Sequence, residues 1–291
     1  MTAVRISRVA ISAVAAALVG TAVGTPPAAN ATCASFFGLG NTADCSSNIT
    51  SFAIAIGPAA QAHADGWFGS ALAIGTSNEA RTDTNGVLNT AITLGDYSTS
   101  RAGGILSLAV QAGYNSDVQS GLNPTDVLNV GISLGNTSGG LINTYGAVNL
   151  AVNLFGDASV AAYGFGNSAL NVTGSNSVSA IGGFNNAVSL FGTGNSLLAG
   201  GSSTAILNSA ANIGGSSNAV ASGPGPFAIA AAILQNGRTI TKSGPGFNIN
   251  GVVVGGASAV SGKKANSSTA KSTSKKSGGS AAKSHGGSAR K

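Results

Sequence analysis

An apolar residue returns at an even step through the middle of this chain: Ile56, Ile74, Leu94, Ala112, Leu134, Leu154, Val172 and Leu190, at spacings of 18, 20, 18, 22, 20, 18 and 18. A period of roughly twenty residues marks a stacked repeat, because a unit of that size is one supersecondary turn that cannot bury its apolar face alone and must stack on its neighbours. The even step matters too. Strand side chains alternate between faces with period two, so even spacing keeps every member of the ladder on one face.

Aligned on the ladder, the coils read Phe52-Ala53-Ile54-Ala55-Ile56-Gly57, Ala71-Leu72-Ala73-Ile74-Gly75, Ala91-Ile92-Thr93-Leu94-Gly95 and Gly131-Ile132-Ser133-Leu134-Gly135. Large residues alternate with Ala, Ser, Thr or Gly, which predicts short strands with the large side chains turned inward. A second, weaker set lies half a period away, with Ala60, Ala62, Ala64, Val160, Ala162, Val178, Ala180, Leu197 and Ala199 as inward candidates. Glycines at 57, 66, 75, 86, 95, 104 and 113 supply reversals where positive φ is cheap. Two strands per coil over residues 51–223 predict an all-β solenoid or β-roll of about eight coils, on the order of 40 Å long at ~4.8 Å per coil. A helical reading fails on the recurrent glycines, each costing ~1 kcal/mol in a helix interior. A membrane barrel fails on strand length, since spanning strands need roughly 9 to 11 residues.

The end regions read differently. Arg5 and Arg8, an apolar stretch over residues 9–23 and Ala29-Asn30-Ala31 before Thr32 describe a signal peptide over residues 1–31. Asn30-Ala31-Thr32 before Cys33 lacks the apolar residue of a lipobox. Export makes the two cysteines informative: Cys33 and Cys45 have one possible connectivity, and an oxidising compartment closes it. The resulting staple belongs to an N-terminal cap over residues 32–50, worth about 3 kcal/mol for a loop of about fifteen residues. At the other end Gly223-Pro224-Gly225-Pro226 breaks the period. Residues 227–242 then read as a hairpin around Asn236-Gly237, part of a capping region over 224–261 with one further strand at 244–256.

Charge is distributed unevenly. Residues 33–261 carry Arg81, Arg101, Arg238 and Lys242 against Asp44, Asp65, Glu79, Asp83, Asp96, Asp117, Asp126 and Asp157. Residues 262–291 carry Lys263, Lys264, Lys271, Lys275, Lys276, Lys283, Arg290 and Lys291 and no acid, among Ser, Gly, Ala and Thr. That composition cannot bury a core, so the tail is expected to be disordered and solvated. Its candidate partners are anionic envelope polymers or glycosaminoglycans, with nucleic acid less favoured by export; the bland alternative is that the tail only solubilises.

Two resemblances follow from particular residues. The run Ala53-Ile54-Ala55-Ile56-Gly57-Pro58-Ala59-Ala60-Gln61-Ala62, followed by Ala71-Leu72-Ala73-Ile74-Gly75, resembles the head repeats of trimeric autotransporter adhesins, which implies a left-handed β-roll. Gly164-Phe165-Gly166-Asn167-Ser168 and Gly192-Thr193-Gly194-Asn195-Ser196 are similar to the Gly-x-Gly-Asn repeats of mycobacterial PPE and PE-PGRS surface proteins. Together they imply an exported repeat protein of mycobacterial type with adhesin-like behaviour. The chain departs from both families in having no coiled-coil stalk and no PE or PPE helical domain.

No catalytic constellation stands out. There is no Gly-x-Ser-x-Gly elbow, and His63 sits at an outward position between Ala62 and Ala64. Acids fall singly on turns, so a glycosidase pair would require stacking, for example of Asp65 on Asp83. The Gly256 to Lys263 segment misses the phosphate-loop spacing, and the aspartates hold no common calcium-repeat phase. With two histidines and two cysteines no zinc set forms, so no metal or cofactor is expected. The sequons at Asn48, Asn136 and Asn171 act as turn residues in a bacterial host. The expected function is an exported, non-enzymatic structural or interaction protein at the cell surface or secreted, with homo-oligomerisation left open and no transmembrane helix in the mature chain. The alternatives are a secreted carbohydrate-active β-helix enzyme and a pore-forming envelope protein.

Overall fold

The computed structural model describes residues 32–136 and 138–261. The chain winds as a β-solenoid of about 11 turns with two long sheets. One coil shows the plan. Thr90–Leu94 runs in sheet A, the chain turns at Gly95, and Thr99–Ala102 runs in sheet B. A loop then returns the chain to sheet A as Leu108–Gly113, directly beside Thr90–Leu94 and parallel to it. The turns stack as closely as the strands. Gly75 stands at φ 137°, and a Cβ there would strike the carbonyl of Gly95 in the next coil, so the period cannot tolerate a side chain at this point.

The alternation in sheet A is real, but its faces are the reverse of the expected ones. Ile56, Ile74 and Leu94 are 41%, 37% and 37% exposed, whereas Ala53, Ala71, Ala91 and Thr93 have no accessible surface. The large residues of the ladder point out of the solenoid and the small ones point in. Packing supplies the reason. The inner column of sheet A is Ala53, Ala71, Ala91, Ala109, Gly131, Ala151, Ala169, Ala187, Ala210 and Ala230 in successive coils. Sheet B fills the same core with Val118, Ile142, Val160, Val178, Leu197, Val220 and Ile240. A thin interior packed to crystal-like density accepts a large residue from one sheet only; bulk from both would overfill it. The second set of inward candidates is buried as expected, from Ala60, Ala62 and Ala64 through Val178 and Ala180 to Ala199.

The solenoid also continues further than its apolar period suggests. Past the expected limit at residue 223, Ala228–Ile233 extends sheet A and Thr239–Lys242 extends sheet B, both in parallel register. The expected hairpin over residues 227–242 is therefore not formed. Its two arms lie in opposite sheets as successive strands of one coil, because each finds a parallel partner in the coil before it. The coil count rises from eight to about 11 for the same reason.

Asparagines line the corners of the coils. At the corner that leads into sheet A, Asn129, Asn149, Asn167, Asn185 and Asn208 stack in successive coils. Each side-chain Oδ1 accepts the backbone N–H of the next ladder residue, at 3.2 Å from Asn149, 3.0 Å from Asn167, 2.9 Å from Asn185 and 2.8 Å from Asn208, and Asn208 receives Ala228 N–H at 3.0 Å. The Nδ2 groups donate to corner carbonyls, as Asn167 does to Tyr163 at 2.7 Å and Gly182 at 2.8 Å. A second ladder of Asn176, Asn195 and Asn218 occupies the corner leading into sheet B. Buried corner amides that no ladder strand can reach are satisfied in this way.

Both ends are closed by antiparallel strands. Thr32–Phe36 lies antiparallel on Phe52–Ile56, and the Cys33–Cys45 disulfide ties it to the first strand of sheet B, Cys45–Ser47. At the far end Val252–Gly255 folds back on Gly246–Ile249, and Ser258–Ser261 covers Thr239–Lys242. Gly246–Ile249 is itself a parallel strand on Ala228–Ile233, so the antiparallel cap is residues 252–261, later and shorter than the expected 224–261. Beneath it Lys242 is fully buried with its Nζ unpartnered.

Candidate functional site

Chemistry-bearing side chains gather on one part of the solenoid. No strand of sheet A contains a charged residue. The outward positions of sheet B in its first coils form a polar strip instead. His63, Arg81, Arg101, Gln119 and Asn143 stack in one column, and Gln61, Glu79, Thr99 and Asp117 stack in the column beside it. Parallel in-register pairing converts side chains about twenty residues apart in sequence into neighbours roughly 4.8 Å apart.

Contacts tie the strip together. Arg81 approaches Asp65 at 3.9 Å, and Arg101 approaches Glu79 at 3.7 Å, both pairs open to solvent and so contributing little to stability. Gln119 Nε2 donates to Asp117 at 2.6 Å, while its Oε1 accepts the Tyr145 hydroxyl at 3.0 Å. The Tyr145 ring stacks on Tyr163 of the next coil, with centroids 5.4 Å apart and planes 20° apart. Burial pushes the Asp83 carboxyl above its ordinary value, against the lowering pull of Arg81 and Arg101. Burial also raises Asp117, against the hydrogen bond from Gln119 and the charge of Arg101. Tyr145 is raised by burial and then by the neighbouring Tyr163.

The coil stacking does bring Asp65 and Asp83 to consecutive levels, just beyond the paired Ala64 and Thr82. Their surroundings differ. Asp65 takes a hydrogen bond from Ser46 Oγ at 3.1 Å and faces Arg81; the Asp83 carboxyl lies over Gly103, where a side chain would displace it. His63 Nδ1 meets the same Ser46 hydroxyl at 2.9 Å. The order is histidine, serine, aspartate, with the hydroxyl in the middle. A hydrolytic triad needs the imidazole in the middle, so this contact orders the strip rather than activating Ser46.

A shallow depression of about 580 Å³ opens beside the strip, shares Thr99 and Asp117 with it, and is also lined by Tyr97, Asn115, Leu141 and Asp157. Tyr97 is held edge-on against Tyr114, with centroids 5.5 Å apart. Aromatic faces, amides and carboxylates set around a shallow open surface suit polyhydroxylated ligands better than apolar ones. Of the sequons, Asn171 is fully buried, and Asn48 spends its amide on the carbonyls of Asp65 and Gly66 at 3.1 Å and 2.7 Å. Both are structural residues.

Among the described residues no group of three or more His, Cys, Asp or Glu could hold a metal ion, and no helix is long and apolar enough to cross a membrane. The tail cations Lys263, Lys264, Lys271, Lys275, Lys276, Lys283, Arg290 and Lys291 lie outside the described residues, as does the signal segment 1–31. The polar strip is not legible in the sequence, because its members are scattered over about eighty residues and only the coil register assembles them. Comparison of the chain with family models, with curated proteins and with solved structures finds no match.

Proposed function

We propose that this chain is an exported interaction protein of the cell envelope or extracellular space, adhesin-like in action. The solenoid presents the polar strip of sheet B to an envelope or extracellular polymer, and the cationic tail adds attraction to polyanions. The observation that carries this reading is segregation: sheet A is free of charge, while His63, Arg81, Arg101, Asp65, Glu79, Asp83 and Asp117 share the outer surface of sheet B. With two arginines against four acids the strip itself does not attract polyanions, so strip and tail recognise different chemistry. The Cys33–Cys45 disulfide supports export, since such bonds persist in oxidising compartments.

Retention of the purified protein on immobilised envelope glycan and on heparin separates the two elements. Arg101→Gln with Gln119→Ala is expected to lose glycan retention and keep its heparin elution salt. Removal of residues 262–291 is expected to lower the heparin elution salt and leave glycan retention unchanged. Glycan retention that survives the strip substitutions overturns the role of the strip. Unchanged heparin elution without the tail overturns the role of the tail.

A further inference from the structure

The outer face of sheet A has no role in that reading. Its two central outward columns hold only aliphatic residues from Phe52–Ile56 to Ala228–Ile233: one passes through Ile92, Ile132 and Val152, the other through Leu94, Leu134 and Leu154. A third exposed apolar column, with Leu88, Leu106 and Leu128, runs two residues upstream of the strands. β-propensity does not demand this. Sheet B is also built of parallel strands, and its central outward column is mostly polar, with His63, Arg81, Arg101, Gln119, Asn143, Ser179 and Thr241 against Ala161, Leu198 and Ala221.

We infer that the outer face of sheet A is an interface at which a second copy of this chain packs face to face. Eleven parallel strands at ~4.8 Å make a face about 50 Å long, and five residues per strand make it about 15 Å wide, giving about 750 Å² from the strands alone. Ser70, Thr90, Ser168, Asn186 and Ser209 interrupt its first outward column, and the face as a whole matches the ~800 Å² that each partner contributes to a standard stable interface. A second copy brings an equally flat sheet with the same axial repeat, so side-chain ridges interdigitate over the full length at the ~10 Å spacing of stacked sheets. Neither copy brings a charge on the strands themselves. An anionic lipid surface fits less well. The cations of the described residues, Arg81, Arg101, Arg238 and Lys242, lie in or beside sheet B, whereas the carboxylates of Asp96 and Asp157 follow closely on strands of sheet A.

The test is the mass of the purified exported protein by analytical ultracentrifugation at micromolar concentration, for the native sequence and for Ile92→Asp combined with Ile132→Asp. These side chains point outward, so far-UV circular dichroism should remain that of the native fold. The expected result is a dimer whose dissociation constant rises at least a hundredfold in the double variant. A second variant needs no disruption: Val152→Cys, on the middle strand of sheet A, should cross-link to the partner's Val152→Cys on mild oxidation, whereas Ser179→Cys on sheet B should not. A native protein that is monomeric at micromolar concentration overturns the proposal, as does an assembly that the substitutions leave intact or one larger than a pair. A monomer that instead floats with phosphatidylcholine vesicles, and ceases to do so as the double variant, overturns it in favour of a lipid surface.

Discussion

Thr93 and Leu94 are adjacent on one five-residue strand, yet Thr93 has no accessible surface and its hydroxyl donates to the Glu79 carbonyl at 2.7 Å, while Leu94 is 37% exposed. In this solenoid the small polar residue is core and the large aliphatic one is surface. Thr93→Asp is therefore expected to unfold the repeat, because a buried carboxylate without a partner costs several kcal/mol and each coil depends on its neighbours. Leu94→Asp should change the stability of the isolated chain by only about 0.5 kcal/mol, as outward substitutions do. Parallel denaturant titrations of the two variants check this, and equal losses would overturn the assignment of faces.

The fold class was legible in the sequence because stacking forces a period, and glycines such as Gly75 and Gly95 mark the turns. Which face was core was not. The ladder through Ile56, Ile74 and Leu94 follows the rule that large apolar residues go inside, a rule that fails where two sheets lie too close for bulk on both. The better signal was restriction of size: the column through Ala53, Ala91, Ala151 and Ala210 never exceeds alanine over ten coils. Outer positions face no such limit. The later coils are less legible because the ladder passes from Leu190 to Ile213 in an odd step of 23 residues, so the even spacing breaks while the register continues. The polar strip was illegible for a different reason: Arg81 and Gln119 become near neighbours only when the coil length between them is known.

Asn167 sits in the middle of the longer asparagine ladder, and its replacement tests what the Gly-x-Gly-Asn signature does. Asn167→Ala removes the acceptor of the Asn185 N–H and the donor to the carbonyls of Tyr163 and Gly182. Leaving buried backbone groups unsatisfied costs about 1 to 3 kcal/mol, so a loss in that range is expected in urea denaturation. Asn85→Ala, at an exposed loop position, should lose nothing measurable.

The Cys33–Cys45 bond closes the end of the solenoid at which Thr32–Phe36 caps sheet A. Reduction, or Cys33→Ser with Cys45→Ser, is expected to cost about 3 kcal/mol by the loop-entropy argument. Hydrogen exchange should show protection lost first in the strands next to this cap. Mass spectrometry of the exported protein should find no free thiol before reductant.

Lys242 takes the opposite sign. Its amine is buried under the Ser258–Ser261 cap with no hydrogen-bond partner, where a polar group without a partner costs about 1 to 3 kcal/mol. Lys242→Met keeps the stem and removes that group, so a higher melting temperature is expected. A lower one would show that the amine has a stabilising role.

Asp83 and Asp117 set the expected pH dependence. Burial raises both carboxyls in the folded chain, so the unfolded chain loses its proton first as the pH rises. The folded state then binds more protons than the unfolded one in the window between the unfolded and the raised folded values, and stability falls as pH increases through it. Stability favoured by the protonated carboxyls is full below the ordinary aspartate range, is lost across the window, and stays flat above it. Mild acidification should therefore stabilise the first coils of sheet B relative to neutral pH. Asp83→Asn and Asp117→Asn should each raise the melting temperature at pH 7 and flatten its dependence on pH in the region just above the unperturbed aspartate value. Differential scanning calorimetry over that range decides it. A melting temperature that falls on acidification in the native protein and is unaffected by both substitutions would show that these carboxylates are not the groups that titrate with folding.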